Sequence, residues 1–436
     1  MNPKPLDMPP AVQCLIDLYR AMVDEADPAR VVPAHLPPPP AAGRTVVVGL
    51  GKAAASMARA LEAHWPAPLE GVVAVPTGCA VPLRRLRVIE GSHPVPDERS
   101  VVAAQALLDA VSGLGPDDLV IALISGGGSA VCALPAAGLT LQHKQRITRE
   151  LLACGATIDE INTVRRHLSA FKGGRLALQA WPATVVSLVI SDIPGDDATL
   201  VASGPTAADD TTCADALALL RRYRIEIPAA VHEGLQRGRW ETPKTGDPRL
   251  QKTRMTLVAD AWRGLQAAAE LARRRGVRAH VLSDAMEGEA KDLARAHAAL
   301  ALSVATRGEP FQAPCVLLSG GEATVTLRDA EAAGSGGRNT EFALALAMAL
   351  DRRPGTARIH ALSAGTDGID GRAGAAGAWI VPGLLDAARR AGLDARASLD
   401  RNDSATLLGA MGCLLSTGPT LTNVNDFRAV FIEAPR

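Results

Sequence analysis

Six residues, Ser125-Gly126-Gly127-Gly128-Ser129-Ala130, directly follow the apolar run Leu119–Ile124. Three glycines between two hydroxyl side chains let the main chain wrap closely around an anion with its N–H groups turned inward. At the carboxyl end of a buried strand this composition predicts a phosphate cradle. It is not a Walker A loop, because no Gly-Lys-[Ser/Thr] closes it. A second candidate, Lys52, lies in Val46-Val47-Val48-Gly49-Leu50-Gly51-Lys52-Ala53-Ala54, which reads as strand, G-x-G-x-x-A turn and helix. Dinucleotide folds use such a turn, but they also hold the ribose with an acidic residue ending the next strand. Here the next strand, Gly71–Val75, runs into Pro76-Thr77-Gly78, so the fingerprint is incomplete. Lys52 is expected in the first helical turn, where a cation opposes the macrodipole by roughly 0.3–1 kcal/mol. An anionic ligand would offset that cost; a solvated surface lysine is the alternative.

Further cations and carboxylates fall at glycine-rich breaks. Arg165, Arg166 and Lys172 precede Gly173-Gly174 and offer either an anion-binding cluster or a solvated basic face. His167 has no cysteine or carboxylate at ligand spacing in the sequence, so no zinc site is read there. Asp192 stands just beyond the apolar run Val185–Ile190, where α/β enzymes place metal and substrate groups, whereas Asp196 and Asp197 read as caps. Ala202-Ser203-Gly204-Pro205-Thr206 reads as an active-site loop. In the C-terminal half, Ser319-Gly320-Gly321-Glu322 is a strand-ending turn. Gly336-Gly337-Arg338-Asn339-Thr340 sets Arg338 at a helix N-terminus, with Asn339 or Thr340 as cap. Asp367 and Asp370, beyond the strand Ile359–Ser363, suit Mg²⁺ or a sugar hydroxyl; the ligand series of an EF-hand is missing.

The elements that must hold these residues alternate. Strands are expected at 45–48, 71–75, 86–90, 119–124 and 184–190, with helices at 11–26, 52–63, 99–112, 141–153 and 159–168. Continuously apolar strands between helices indicate parallel sheet covered on both faces. The polar, Pro- and Gly-punctuated stretch 222–252 marks a domain transition. A second α/β series follows, with strands at 256–258, 279–283, 315–319, 324–327 and 359–363 and helices at 265–275, 290–307 and 340–350. The expected domains are 1–245, Rossmann-like, and 246–436, also α/β.

Composition narrows the partners. The 436 residues carry 46 Lys+Arg and 46 Asp+Glu, so the net charge is zero and no basic field exists for nucleic acid or anionic lipid. Aromatics are 3%, too few for base-stacking platforms. The seven cysteines are scattered without a CxxC pair, as expected of reduced thiols in the cytoplasm. Met1–Pro10 has no apolar leader core, and no apolar run reaches membrane-spanning length. Oligomeric state is not fixed by these residues; a homodimer stands as the working expectation.

Taken in order, the motifs resemble those of the class II glycerate 2-kinases, whose C-terminal part is called the MOFRL domain. The match runs through V-G-L-G-K-A-A, G-S-H-P-V-P-D, S-G-G-G-S-A, N-T-V-R-R-H-L-S-A-F-K-G-G-R-L, S-D-I-P-G-D-D, A-S-G-P-T, S-G-G-E-A-T-V-T, G-G-R-N-T-E, S-A-G-T-D-G-I-D-G, N-D-S and T-G-P-T-L-T-N-V-N-D, from Val46 to Asp426. Members have often carried the name hydroxypyruvate reductase. The resemblance implies two α/β domains with largely parallel sheets and the active-site cleft between them. It implies ATP-dependent phosphorylation of the C2 hydroxyl of D-glycerate, with Mg²⁺. Lys52 and Arg338 map onto the residues associated with catalysis. Asp192 joins them as the carboxylate to accept the hydroxyl proton. Gly51, Ser125, Gly126, Gly127, Gly128, Ser129, Arg165, Lys172, Glu322, Asn339 and Asp367 are the candidate substrate and nucleotide contacts. Asp192 and Asp367 are the candidate metal ligands. Whether the glycine loop holds ATP phosphates or the glycerate carboxylate stays open, as does a nicotinamide-dependent reductase as the alternative activity.

Overall fold

The computed structural model describes residues 5–327 and 333–435. Residues 1–4 of the N-terminal stretch read above lie outside it. The chain divides into two compact units, residues 28–191 with 197–258, and residues 1–27 with 192–196 and 259–436.

The first unit is built on a six-stranded sheet of β1 (Thr45–Leu50), β2 (Glu70–Pro76), β3 (Arg87–Gly91), β4 (Leu119–Ser125), β5 (Thr184–Ile190) and β6 (Thr253–Ala259), in the order β3-β2-β1-β4-β5-β6. The β1–β2, β1–β4, β2–β3 and β4–β5 pairings are parallel. All six residues of β1 and all seven of β4 are buried, as expected of strands covered on both faces. Strand order reverses between β1 and β4, and ligands of open α/β sheets bind outside the carboxyl ends of strands at such a switch. The Gly51 turn and the triple-glycine loop both leave the sheet there. β6 is an edge strand of this sheet, not the start of the second series that its position after residue 252 suggested.

The second unit holds β7 (Arg278–Ser283), β9 (Cys315–Ser319), β11 (Ile359–Gly365), β12 (Gly377–Ile380), β13 (Leu414–Leu415) and β14 (Asp426–Ile432), in the order β13-β12-β11-β14-β9-β7, with β8 (Gly288–Glu289) and β10 (Ala323–Thr324) as a separate short pair. The α/β class is as expected, but strand direction in this sheet is not. Only β7–β9 is parallel; β14 is inserted antiparallel to both β9 and β11, and β12 and β13 continue antiparallel. The N-terminal helix Pro10–Glu25 belongs to this unit. Tyr19 donates to the carbonyl of Gly365 at 3.0 Å and packs edge-on to Phe427. Gly264 of the helix Ala261–Arg274 leaves room for Met22, whose Cγ would lie 2.6 Å from a Cβ placed there.

Candidate active site

In the first unit the turns after β1 and β4 are stitched together. The Lys52 amide donates to the Gly126 carbonyl at 2.8 Å, and the Ala53 amide to Ser125 Oγ at 3.0 Å. Gly51 has φ +114°, and a Cβ there would sit 2.3 Å from the Ser125 carbonyl oxygen, so glycine is required by both conformation and space. Gly127 adopts φ +79° and opens a single helical turn, Gly128–Val131. A Cβ on Gly127 would meet Lys52 Cγ at 3.3 Å and the His93 ring at 3.2 Å. The Lys52 stem and His93 therefore flank the glycine loop. Lys52 itself precedes the helix Ala54–His64. It stands just ahead of the N-cap Ala53 rather than inside the first helical turn, and its main chain is fixed by the hydrogen bond from its amide to the Gly126 carbonyl.

Ser129 Oγ lies 2.9 Å from Ser203 Oγ, which donates to Asn162 Oδ1 at 2.9 Å. Ala202, Ser203 and Gly204 all have positive φ, at 53°, 61° and 60°. Left-handed Ala and Ser cost of order 1–3 kcal/mol each and need support. Arg166 supplies it, donating to the carbonyls of Thr199 (2.8 Å) and Ser203 (3.3 Å) while pairing with buried Asp209 at 3.1 Å. Arg166 is thus a clamp. Lys172 is corrected in the same sense: it is 2% exposed, lies beyond the helix Ile158–His167, and donates to the carbonyls of Ser129 (2.7 Å) and Cys132 (2.9 Å). Burial pushes its ammonium pKa down to about 7. It fastens the loop from beneath. Arg165 is half-buried and makes no hydrogen bond or ion pair with the described residues.

In the second unit the carboxyl ends of β9 and β11, the start of antiparallel β14 and the N-terminus of the helix Arg338–Leu350 converge. Asp426, opposite Gly365 in the ladder, is fully buried. Its Oδ1 accepts from Arg338 Nε and Asn339 Nδ2, both at 2.9 Å, and its Oδ2 from Arg428 Nη2 at 2.9 Å. Burial favours the neutral acid, but the two guanidinium groups outweigh it and hold the carboxyl below its ordinary range. Burial likewise opposes the Arg338 charge, and Asp426 and Glu322 outweigh it. Glu322 receives Nη1 of Arg338, whose side chain keeps 28% exposure. Nη2 makes no hydrogen bond to the described residues.

Asp370 is a correction. Its carboxylate is 1% exposed and caps the helix by accepting the amides of Asn339 (2.9 Å) and Thr340 (2.8 Å). It offsets the helix dipole rather than standing ready for a ligand. Asn339 is equally committed, accepting from Ser363 Oγ at 2.7 Å. Asp367 is half-buried and accepts the Ile369 amide at 3.0 Å; its charge reaches Arg338 and Tyr19. Asp192 accepts from Asn423 Nδ2 at 2.8 Å, and the loop bearing Asn423 is tied to the end of β11 by the Val424 amide to Thr366 Oγ1. Asp426, Arg428 and Asn162 were not singled out from sequence, although Asp426 and Asn162 lie inside recognisable motifs.

A family model described as a domain of unknown function, DUF4147, matches residues 14–236, and the MOFRL family model matches residues 315–426. A protein from Agrobacterium vitis with the provisional name hydroxypyruvate reductase is 51% identical over 97% of this chain and 94% of its own length. A protein named D-glycerate 2-kinase from Thermotoga maritima is 37% identical over 94% of this chain and 96% of its own. The crystal structure of a Thermotoga maritima glycerate kinase superposes with a TM-score of 0.83 at 35% identity, covering 96% of this chain and 99% of that one. By both domains and by full-length relatives, the chain belongs to the class II glycerate kinase family.

Proposed function

We propose that this enzyme transfers the γ-phosphoryl group of ATP to the C2 hydroxyl of D-glycerate, giving 2-phosphoglycerate and ADP, in the cytoplasm. The observation that carries the reading furthest is the strand-end loop of β4, where Gly127 leaves room for the Lys52 stem and backbone amides open a short helical turn. Full-length relatives named for glycerate phosphorylation support it.

Phosphoryl transfer asks for positioning and charge neutralisation more than covalent chemistry. Lys52 and Arg338 neutralise the transferring group and the glycerate carboxylate, Arg338 presenting the planar edge that Asp426 and Glu322 orient. The amides of Gly126, Gly127, Gly128 and Ser129 cradle either the nucleotide phosphates or the carboxylate, with Arg165 as a further cation. Asp192 takes the C2 proton. Asp192 and Asp367 offer hard oxygen donors, and Mg²⁺ takes one or two carboxylates besides phosphate oxygens, so the donor chemistry fits. When bound, that ion spreads the charge of the phosphate oxygens. Glu322 and Asn339 act through Arg338 and Asp426.

The test is a coupled assay with D-glycerate, ATP and Mg²⁺, read with enolase alone and with enolase plus phosphoglycerate mutase. Product consumed by enolase alone is the 2-phosphate and supports the reading. A requirement for the mutase means the 3-phosphate and overturns the C2 regiochemistry; absence of ADP overturns the kinase. The alternative, reduction of hydroxypyruvate by a nicotinamide cofactor, has the name of the 51% identical relative in its favour.

A further inference from the structure

Within the first unit, residues far apart in sequence gather beside the helix that carries Arg166. His167 ends the helix Ile158–His167, Cys213 begins the helix Cys213–Arg222, and Glu241 follows the helix Ala229–Gln236. The ring nitrogen of His167, Cys213 Sγ and a Glu241 carboxylate oxygen all lie within 4.8 Å of one another. We propose that these three side chains form a site for a borderline-soft divalent cation such as Zn²⁺, separate from the candidate active site.

Three observations carry this. His167 is fully buried, yet its Nε2 has no hydrogen-bond partner. Its Nδ1 lies 2.8 Å from the Thr163 carbonyl, and donation there leaves the lone pair on Nε2, the form and supporting contact of a metal-bound histidine. Glu241 is anchored by Oε1, which accepts the Cys213 amide at 2.8 Å, while Oε2 stands 3.7 Å from His167 Nε2. Tetrahedral zinc with N, S and O ligands sets those atoms roughly 3.3–3.8 Å apart. The His167–Glu241 separation already falls in that range, and no pair among the three exceeds it by more than about 1 Å.

The charges also balance. On binding, the Cys213 thiol passes its proton to solvent, and thiolate plus carboxylate neutralise the dication beside a neutral imidazole. Lys244 Nζ, 3.0 Å from Glu241 Oε2, must yield that oxygen. It keeps bonds to Thr242 Oγ1 and to the carbonyls of Asp209 and Thr211. The other charged neighbours are Arg175, which donates to the Glu241 carbonyl, Asp209, paired with Arg166, and Asp215, whose charge reaches His167 and Lys244. Sulfur and imidazole donors select zinc over magnesium. Exposure of Glu241 leaves a fourth position to water.

The test uses the full chain, stripped with a chelator and titrated with Co²⁺ alone. The expected result is one Co²⁺ per chain with a near-ultraviolet thiolate-to-cobalt absorption band, displaced by Zn²⁺ and abolished in Cys213→Ser. Glu241→Gln, which keeps the Oε1 acceptor for the Cys213 amide, should weaken binding at least about ten-fold and serves if Cys213→Ser fails to fold. No thiolate band in the wild type, a band that survives in Cys213→Ser, or unchanged affinity in Glu241→Gln overturns the proposal.

Discussion

Take the carboxylate of Asp426 away and two guanidinium groups face a dry position with no anion. Breaking a buried pair from one side costs about 3–5 kcal/mol, because the charge left behind is uncompensated. Asp426→Asn should therefore lose stability of that order in urea unfolding and lower kcat by disorienting Arg338. Glu322, 47% exposed, serves the same arginine from the solvent side. Glu322→Gln should cost less than about 1 kcal/mol. Equal losses in the two variants would contradict the buried-anchor role. Lys172 makes a pH-dependent prediction. Its folded-state pKa of about 7 lies below its ordinary 10.5. Between those values the unfolded chain holds a proton that the folded chain lacks, so folding stability rises with pH across this window and is flat below it. Lys172→Met lacks this titration. The stability of the wild type relative to the variant should rise from pH 7 to pH 10 in denaturant titrations; a constant difference would refute the buried-lysine assignment. Lys52 and Arg338 stand out in the sequence as candidates because each sits in a local motif. Asp426 was not legible as Arg338's partner: 88 residues separate them, and no local spacing encodes that meeting.

At the scale of elements, the β1 and β4 turns act as one piece because Gly51 lets them touch. Gly51→Ala must move main chain away from the Ser125 carbonyl as well as adopt a left-handed φ, and should cost at least about 2 kcal/mol. Gly78→Ala is the control. Gly78 also has positive φ, +87°, but nothing lies within 4 Å of the added Cβ. It should cost only about 1–2 kcal/mol, the conformational term alone. Matched denaturation midpoints for the two variants would show that the Gly51 contact contributes nothing. Long periodic elements were readable to the residue: the helices 141–153 and 290–307 and the strands 184–190 and 315–319. β12 was not, since Gly377-Ala378-Trp379-Ile380 among alanines and glycines looks like a small-residue loop. Nor was the first helical turn at Lys52, because the chain spends Lys52 and Ala53 bonding the neighbouring loop. Strand direction in the second sheet was also hidden. A strand buried on both faces carries the same apolar run whether it is parallel or antiparallel.

Across the whole molecule, the family was legible because long motifs recur in order through both units. The one sequence signal that pointed elsewhere was the G-x-G-x-x-A turn, and the fold decides how to read it. Strand order β3-β2-β1-β4-β5-β6 is that of a dinucleotide-binding sheet, with the turn at the switch point. In such folds free amides of the turn receive the pyrophosphate. Here they are spent: Gly51 N–H bonds Ala74, Lys52 N–H bonds Gly126, Ala53 N–H bonds Ser125 Oγ, and Ala54 N–H bonds Gly51. β2 ends at Pro76 without an acidic residue for a ribose, and the nearby Glu90 carboxylate is taken by the Gly78 amide at 3.0 Å. A pyrophosphate could enter only by breaking the β1–β4 stitch. The expected outcome is therefore no oxidation of NADH or NADPH above background with hydroxypyruvate, under conditions where D-glycerate and ATP yield ADP. Stoichiometric cofactor oxidation would mean that the two turns separate in solution, and that this strand end binds a dinucleotide after all.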